Sequence, residues 1–86
     1  MAAQITVIKG GGNEEEVRFQ VRFKATWTCA KAEKKIRESF LLLGGRLEDE
    51  NGIAVGDEED LEARNLSFVG GISTGKVTYS HSHLSI

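Results

Sequence analysis

The hydrophobic and polar positions alternate most regularly in residues 14–24, "EEEVRFQVRFK", where Val17, Phe19, Val21 and Phe23 are separated by charged or polar residues. A period of two predicts a β-strand with one face in the core and the other in water. The β-branched run "QITVIK" precedes it and predicts a first strand, while the glycines of "GGGN" supply the turn between them. The pattern therefore predicts an N-terminal hairpin.

The period of the apolar positions changes after this strand. Apolar residues now recur at steps of three and four, at Cys29, Ala32, Ile36, Phe40 and Leu43. This spacing predicts a helix with one apolar face. Thr28 is the expected N-cap, and Gly44 and Gly45 are the expected stop. The end of this stretch, "FLLL", also fits a short buried strand, because short apolar runs do not distinguish the two.

The second half of the chain has the pattern of short strands joined by turns. Asn51-Gly52 predicts a hairpin, "GDEEDLEA" predicts a polar turn or one helical turn with Leu61 as its apolar anchor, and "NLSFV" predicts a strand. "GKVTYSH" predicts a further strand, so that residues 71–86 would hold an extra strand and a frayed end.

These elements predict a single α+β domain over residues 1–86, in which one mixed sheet of four to five strands packs on one helix. The periodic apolar positions of the strand and the helix, with the anchor of the polar turn, are the expected core: Val17, Phe19, Val21, Phe23, Ile36, Phe40 and Leu61.

Composition and chain ends narrow the functional classes. The net charge is −2 and the isoelectric point is about 5.6, which does not favour nucleic acid as a partner. No apolar run is long enough to span a membrane, and no secretory signal is visible, so the expected location is the cytoplasm or nucleus. Cys29 is the only cysteine, which excludes an internal disulfide and predicts a small buried residue.

The charges are distributed unevenly. Eight carboxylates and no basic residue lie between Glu48 and Glu62, whereas nine basic and five acidic residues lie between Lys9 and Arg46. The sequence therefore predicts one negative and one positive end.

A calcium loop would need an oxygen ligand where Ile53 stands, and the phosphate-binding pattern in "GGISTGKV" lacks the Ser or Thr after its lysine. We expect no catalytic residue, metal or cofactor.

The order of elements over residues 4–71 resembles the ubiquitin-like β-grasp superfamily, and "LLLGGRLEDENG" and "FVGG" are similar to segments of ubiquitin. The acidic stretch resembles the acidic motif of Phox-and-Bem-type heterodimerisation domains, in the order Asp49-Glu50-Asn51-Gly52 and then "DEEDL". It departs from that motif in a shorter gap and in Asn51, where an acid is expected. Such domains pair front to back, with the acidic face against a lysine on the partner's first strand. The resemblance places Lys9 there.

These observations predict a non-catalytic protein–protein interaction module that docks a basic partner surface. The expected acidic face consists of Glu48, Asp49, Glu50, Asp57, Glu58, Glu59 and Asp60. In head-to-tail self-association, it would meet the Lys9, Arg18 and Arg22 of a second copy, because opposed charges steer encounter and set register.

Three alternative hypotheses remain at this stage. In the first, the acidic stretch is only a solvated loop. The chain is a ubiquitin-like modifier processed at Gly70-Gly71 in the second. In the third, it is the N-terminal ubiquitin-like domain of a secreted effector similar to the crinkler type. None of the hypotheses involves nucleic acid or a membrane.

Overall fold

The computed structural model describes residues 1–11 and 14–73, and within them it contains one helix and six strands. The elements are β1 (Ala2–Gly11), β2 (Glu14–Lys24), α1 (Cys29–Phe40), β3 (Leu42–Leu43), β4 (Arg46–Glu48), β5 (Asn65–Val69) and β6 (Ile72–Ser73). Four strands form a mixed sheet in the order β2-β1-β5-β4, with β1 antiparallel to β2 and parallel to β5. Strands β3 and β6 pair separately. The predicted α+β class, with a mixed sheet on one helix, is confirmed.

The core lies between α1 and one face of the sheet. It is built from alternate residues of β1, from β4 and β5, from one face of α1 and from the segments that join them: Ala3, Ile5, Val7, Cys29, Ala32, Ile36, Leu42, Leu47, Val55, Leu61, Leu66 and Phe68. The opposite face of the sheet is polar. There Gln20 donates a hydrogen bond to Thr6 across the β1–β2 pair, at 2.9 Å. One face of the sheet is buried against the helix and the other is exposed to solvent, which explains the period-two pattern of these strands.

Helix α1 begins as predicted and ends earlier than predicted. The Thr28 hydroxyl accepts a hydrogen bond from the Lys31 N–H and caps the first turn. The helix ends at Phe40, because Leu41 adopts the left-handed conformation with φ of 57° and donates its N–H to the Arg37 carbonyl. Leu42 and Leu43 form β3, so the strand alternative for "FLLL" is correct for its last two residues only. Leu43 is 63% exposed and does not belong to an apolar helix face.

Two of the predicted core residues of β2 are wrong. Val17 is 44% exposed and Phe19 is 39% exposed, whereas Val21 and Phe23 are half-buried against the core. The predicted strand face is correct, because Phe19 pairs with the buried Val7. The helix is too short to cover that face: its 12 residues span about 18 Å, while the 11 residues of β2 span about 36 Å.

The other expected core residues fall into two groups. Ile36 and Leu61 are fully buried, and Phe40 is half-buried. Phe40 is the last residue of α1, and its ring centroid lies 5.1 Å from that of Phe19. The helix thus reaches Phe19 with its final side chain and goes no further along β2.

The Gly70-Gly71 pair links β5 to β6. Gly70 has a φ of +83°, a conformation that favours glycine. A Cβ at Gly71 would lie 3.1 Å from side-chain atoms of Leu42 and Phe68, so the backbone packs closely there. The pair is a turn at a strand end, in which backbone conformation accounts for Gly70 and close packing accounts for Gly71. The further strand predicted in "GKVTYSH" lies outside the described residues.

Candidate docking surface

The first part of the acidic stretch, residues 48–52, forms a tight turn that we call the acidic turn. The Asp49 carboxylate accepts hydrogen bonds from the Asn51 and Ile53 N–H groups, at 2.8 and 3.0 Å. Gly52 has a φ of +80°. The predicted Asn51-Gly52 hairpin is confirmed, although its second arm is a single bridge between Glu48 and Ala54.

The second part, residues 57–61, lies against the start of α1, and we call it the acidic loop. The Cys29 N–H donates to the Glu59 carbonyl at 2.8 Å, and the Ala30 N–H donates to the Asp57 carbonyl at 3.0 Å. These N–H groups belong to the first turn of the helix and have no partner inside it. The fully buried Leu61 anchors the far end of the loop, and its N–H donates to the Trp27 carbonyl.

This position stabilises the charge of the acidic loop, although no basic residue lies between Glu48 and Glu62. The N-terminus of a helix carries a partial positive charge, which stabilises nearby anions. Arg64 adds a full positive charge, because its guanidinium lies 3.7 Å from the Glu59 carboxylate. Arg64 also donates to the carbonyl of Leu61 at 2.8 Å, which fixes the cation beside the loop.

Several of the seven predicted carboxylates are occupied within the domain. The Glu48 side chain is 16% exposed and forms an ion pair with Arg46, at 2.6 Å. Asp49 closes the acidic turn, as described above. The Glu59 carboxylate accepts the Gly56 N–H at 3.1 Å in addition to its contact with Arg64. These three side chains shape the turn and the loop, and a partner would have to compete with their contacts inside the domain.

The remaining carboxylates point to water. Glu50, Asp57, Glu58 and Asp60 are exposed. Within residues 1–11 and 14–73, the side chains of Glu50, Glu58 and Asp60 make no hydrogen bond or ion pair. Fewer carboxylates are therefore available to a partner than the seven that the sequence predicted.

Glu33 is a buried carboxyl group that the sequence analysis missed. One of its oxygens accepts the Leu47 N–H at 3.1 Å, and the other lies 3.8 Å from the Arg37 guanidinium. Burial raises the pKa of Glu33, and the nearby Asp57 carboxylate raises that pKa further, while the Leu47 N–H and Arg37 lower it. Its position gives a signal, because Glu33 lies four residues after Cys29 on the apolar side of the helix.

The predicted basic residues do not form one surface. Lys9 pairs with Val17 on the helix side of the sheet, and its ammonium nitrogen lies 6.0 Å from the Phe40 ring centroid. Arg18 and Arg22 lie on the opposite face, because successive side chains of a strand alternate between faces. The structure therefore separates Lys9 from the two arginines.

A different basic surface lies on α1, and we call Lys31, Lys34 and Lys35 the lysine surface. With Trp27 and Glu38, these residues line a shallow groove of about 260 Å³. The Lys31 ammonium lies 4.3 Å from the Trp27 ring centroid, and Trp27 stacks on Phe23. The spacing of three and four residues between these lysines was visible in the sequence. Trp27 also accepts the Leu61 N–H, so the lysine surface begins beside the acidic loop.

Possible metal ligands and the single cysteine were the remaining candidate reactive groups of the sequence. No three His, Cys, Asp or Glu side chains in it are grouped so that they could hold a metal ion. The Cys29 thiol is fully buried, and burial raises its pKa, which confirms the prediction of a small buried residue. No helix in residues 1–11 and 14–73 has both the length and the apolar character to cross a membrane.

Comparison of the chain with protein-family models, curated proteins and solved structures finds no match. A functional proposal for this chain therefore depends on the geometry of the acidic turn and acidic loop and of the lysine surface.

Proposed function

We propose that this chain is a non-catalytic protein–protein interaction module with a ubiquitin-like β-grasp fold, which docks its acidic loop and acidic turn on a basic surface of a partner. The fold assignment is supported by the hairpin, the helix that follows it and the return of β5 parallel to β1 in the centre of the sheet. This is the arrangement that the sequence resemblance implies.

One observation carries the functional proposal: the exposed carboxylates stand on backbone that is fixed before any partner binds. The acidic loop is held by the hydrogen bonds from Cys29, Ala30 and Leu61, and by the burial of Leu61. Preorganised groups lose less conformational entropy on binding. The same bonds satisfy the first N–H groups of α1, so the acidic loop keeps its position whether or not a partner is bound.

Exposed ion pairs alone are too weak for micromolar binding, so apolar contact must contribute as well. Exposed ion pairs contribute about 0.2–1 kcal/mol each, so four carboxylates supply at most about 4 kcal/mol of the roughly 8 kcal/mol that micromolar binding needs. Ile53 follows the acidic turn and is 61% exposed, so it is the nearest candidate for the apolar part. Charge would then set the rate and orientation of docking, while Ile53 adds buried area.

The test compares three forms of the chain as bait in quantitative pull-down mass spectrometry, at about 0.05 and about 0.5 M salt. Glu58→Lys with Asp60→Lys reverses two carboxylates that have no internal partner. The matched control is Glu15→Lys with Glu16→Lys, which makes the same change in net charge at the other end of β2. Asp57 is left unchanged because it neighbours Glu33.

We expect proteins that bind the wild type and the control, are lost with the acidic-loop variant and bind less well at high salt. Circular dichroism should show that all three baits are folded. If the three baits capture the same proteins at both salt concentrations, the acidic loop is a solvated loop and the proposal fails.

A further inference from the structure

Strand β2 forms one edge of the four-stranded sheet, and we call its outer side the β2 edge. The sheet order is β2-β1-β5-β4, and among the described strands β2 pairs with β1 only. With 11 residues, β2 is also the longest strand in the described part of the chain. An open edge presents a row of unpaired N–H and C=O groups, on which another extended segment can add as a further strand.

The hydrogen-bonding register identifies the free backbone groups. The Ala25 N–H donates to the Met1 carbonyl at 3.3 Å, in continuation of the β1–β2 register. Bonded and non-bonded pairs alternate in an antiparallel ladder, so every second residue before Ala25 bonds to β1. The residues between them direct their N–H and C=O groups away from β1. Within residues 1–11 and 14–73, these outward groups have no backbone partner at Arg18, Gln20 and Arg22.

The side chains of the β2 edge differ between its two faces. Arg18 and Arg22 are exposed on the face that points away from α1. Arg18 lies 3.3 Å from the Glu16 carboxylate, whereas Arg22 has no ion pair within the described residues. On the helix side, Val17 and Phe19 are 44% and 39% exposed. Because successive side chains of a strand point to opposite faces, a matching segment would alternate acidic and apolar residues.

We propose that the β2 edge binds an extended segment of another protein, in which acidic and apolar residues alternate, as a fifth strand of the sheet. Its acidic residues face the arginines, and its apolar residues cover Val17 and Phe19. A second copy of β2 would bring its own arginines to the same face, and its Glu16 already contacts Arg18. Charged residues on an edge strand oppose pairing between like strands. Charge complementarity therefore favours an acidic segment of a different protein.

This proposal is independent of the proposed docking of the acidic loop. The β2 edge would use cations to bind an acidic segment, whereas the acidic loop would use carboxylates to bind a basic surface. The variant with Glu58→Lys and Asp60→Lys should therefore bind the acidic segment at least as well as wild type. Failure of either proposal leaves the other unaffected.

The first experiment measures amide hydrogen exchange by nuclear magnetic resonance on the full wild-type chain. The probe is a capped seven-residue peptide in which aspartate and valine alternate. In the free chain, the amides of Arg18, Gln20 and Arg22 should exchange faster than those of Phe19 and Val21, which bond to β1. Peptide at about ten times its dissociation constant should slow the three open amides about tenfold, because only the free edge then exchanges.

Four outcomes of this experiment would overturn the proposal. Equal slowing of all five amides would indicate general stabilisation without strand addition. Open amides that are protected in the free chain at every concentration would show that the chain itself covers the edge. Protection that rises with protein concentration would show that a second copy does so. Millimolar peptide that protects none of the open amides would show that the edge does not accept such a strand.

The second experiment measures the affinity of the peptide by titration. A peptide of the same composition, with all aspartates before the valines, should bind about tenfold more weakly, because it cannot place acids and valines on opposite faces. Arg18→Glu with Arg22→Glu should weaken binding of the alternating peptide by about tenfold or more. Lys34→Glu with Lys35→Glu makes the same change in net charge on α1 and should weaken it much less. Equal losses in the two variants would indicate attraction by net charge alone and would contradict the proposal.

Discussion

At the scale of single residues, Glu33 links the stability of the domain to the charge of the acidic loop. Its carboxyl group binds the Leu47 N–H of β4 and neighbours Asp57. Because burial and Asp57 raise the pKa of Glu33, the folded state binds this proton more tightly than the unfolded chain does. The resulting stabilisation is fully present below the ordinary glutamate pKa, about 4.3, and is lost as the pH rises through the raised value.

Glu33→Gln tests this linkage. The glutamine side-chain carbonyl can still accept the Leu47 N–H but cannot ionise. Relative to wild type, we expect equal stability at about pH 4 and greater stability at about pH 7, because the glutamine does not ionise in the buried position. Urea denaturation over this pH range measures the difference.

Glu38→Gln is the control for Glu33→Gln, because Glu38 is exposed on the same helix. The gain at about pH 7 should be specific to Glu33→Gln, because it depends on a buried carboxylate. If wild type gains stability over Glu33→Gln as the pH rises, the ionised form of Glu33 is the stabilising one and the interpretation is incorrect.

At the scale of elements, the mismatch between β2 and α1 determines which aromatic residues stabilise the fold. Phe68 of β5 is fully buried beneath the helix, whereas Phe19 of β2 lies at its end. Phe68→Ala should cost about 3–5 kcal/mol, as for other buried phenylalanines. Phe19→Ala should cost less, about 2 kcal/mol, because only part of the ring is buried and the contact with Phe40 adds to that burial.

The two alanine variants can be compared by urea denaturation under one set of conditions. A domain of ordinary stability, about 5–15 kcal/mol, would be strongly weakened by Phe68→Ala and remain folded with Phe19→Ala. Equal costs would mean that Phe19 is covered as completely as Phe68, contrary to its exposure in the structure.

The periodicity of the sequence predicted most of the secondary-structure elements, but it did not predict where the helix ends or which side chains are covered. The alternation in residues 14–24 matches β2 at both ends, and Thr28 caps α1 as expected. Periodicity shows which side chains share a face, but not whether a neighbouring element covers that face. The end of α1 had no sequence signal, because a leucine rather than a glycine takes the left-handed conformation at Leu41.

The candidate site was predictable in position and not in detail. The clustering of carboxylates was evident from the sequence, and the structure places the acidic loop at a helix N-terminus. Which carboxylates are occupied depends on side-chain geometry in the folded chain, such as the ion pairs of Glu48 with Arg46 and of Glu59 with Arg64. The buried Glu33 depends on a contact with a distant residue, Leu47. Strand register separated Lys9 from Arg18, and register is a property of the paired strands rather than of one segment.

At the scale of the whole molecule, the acidic loop and the lysine surface are neighbours, because both adjoin Trp27. Surfaces of opposite charge on one molecule allow a second copy to act as the basic partner in the proposed function. When the two surfaces are adjacent, each copy can use both of them on the other, which is the geometry of a closed two-fold dimer. Docking of this kind should weaken as salt shortens the range of the charges.

A charge swap provides the test of self-association. Glu58→Lys with Asp60→Lys reverses two negative charges of the acidic loop. Lys34→Glu with Lys35→Glu reverses two exposed positive charges of the lysine surface. Each variant alone should sediment as a monomer, because its two surfaces then carry the same charge. An equimolar mixture should recover the wild-type dimer, because each reversed surface meets an opposite one. Sedimentation velocity at about 0.05 and about 0.5 M salt measures all three samples and the wild type. A wild type that remains monomeric at every concentration and salt would contradict self-association and would leave only a different protein as the basic partner in the proposed function.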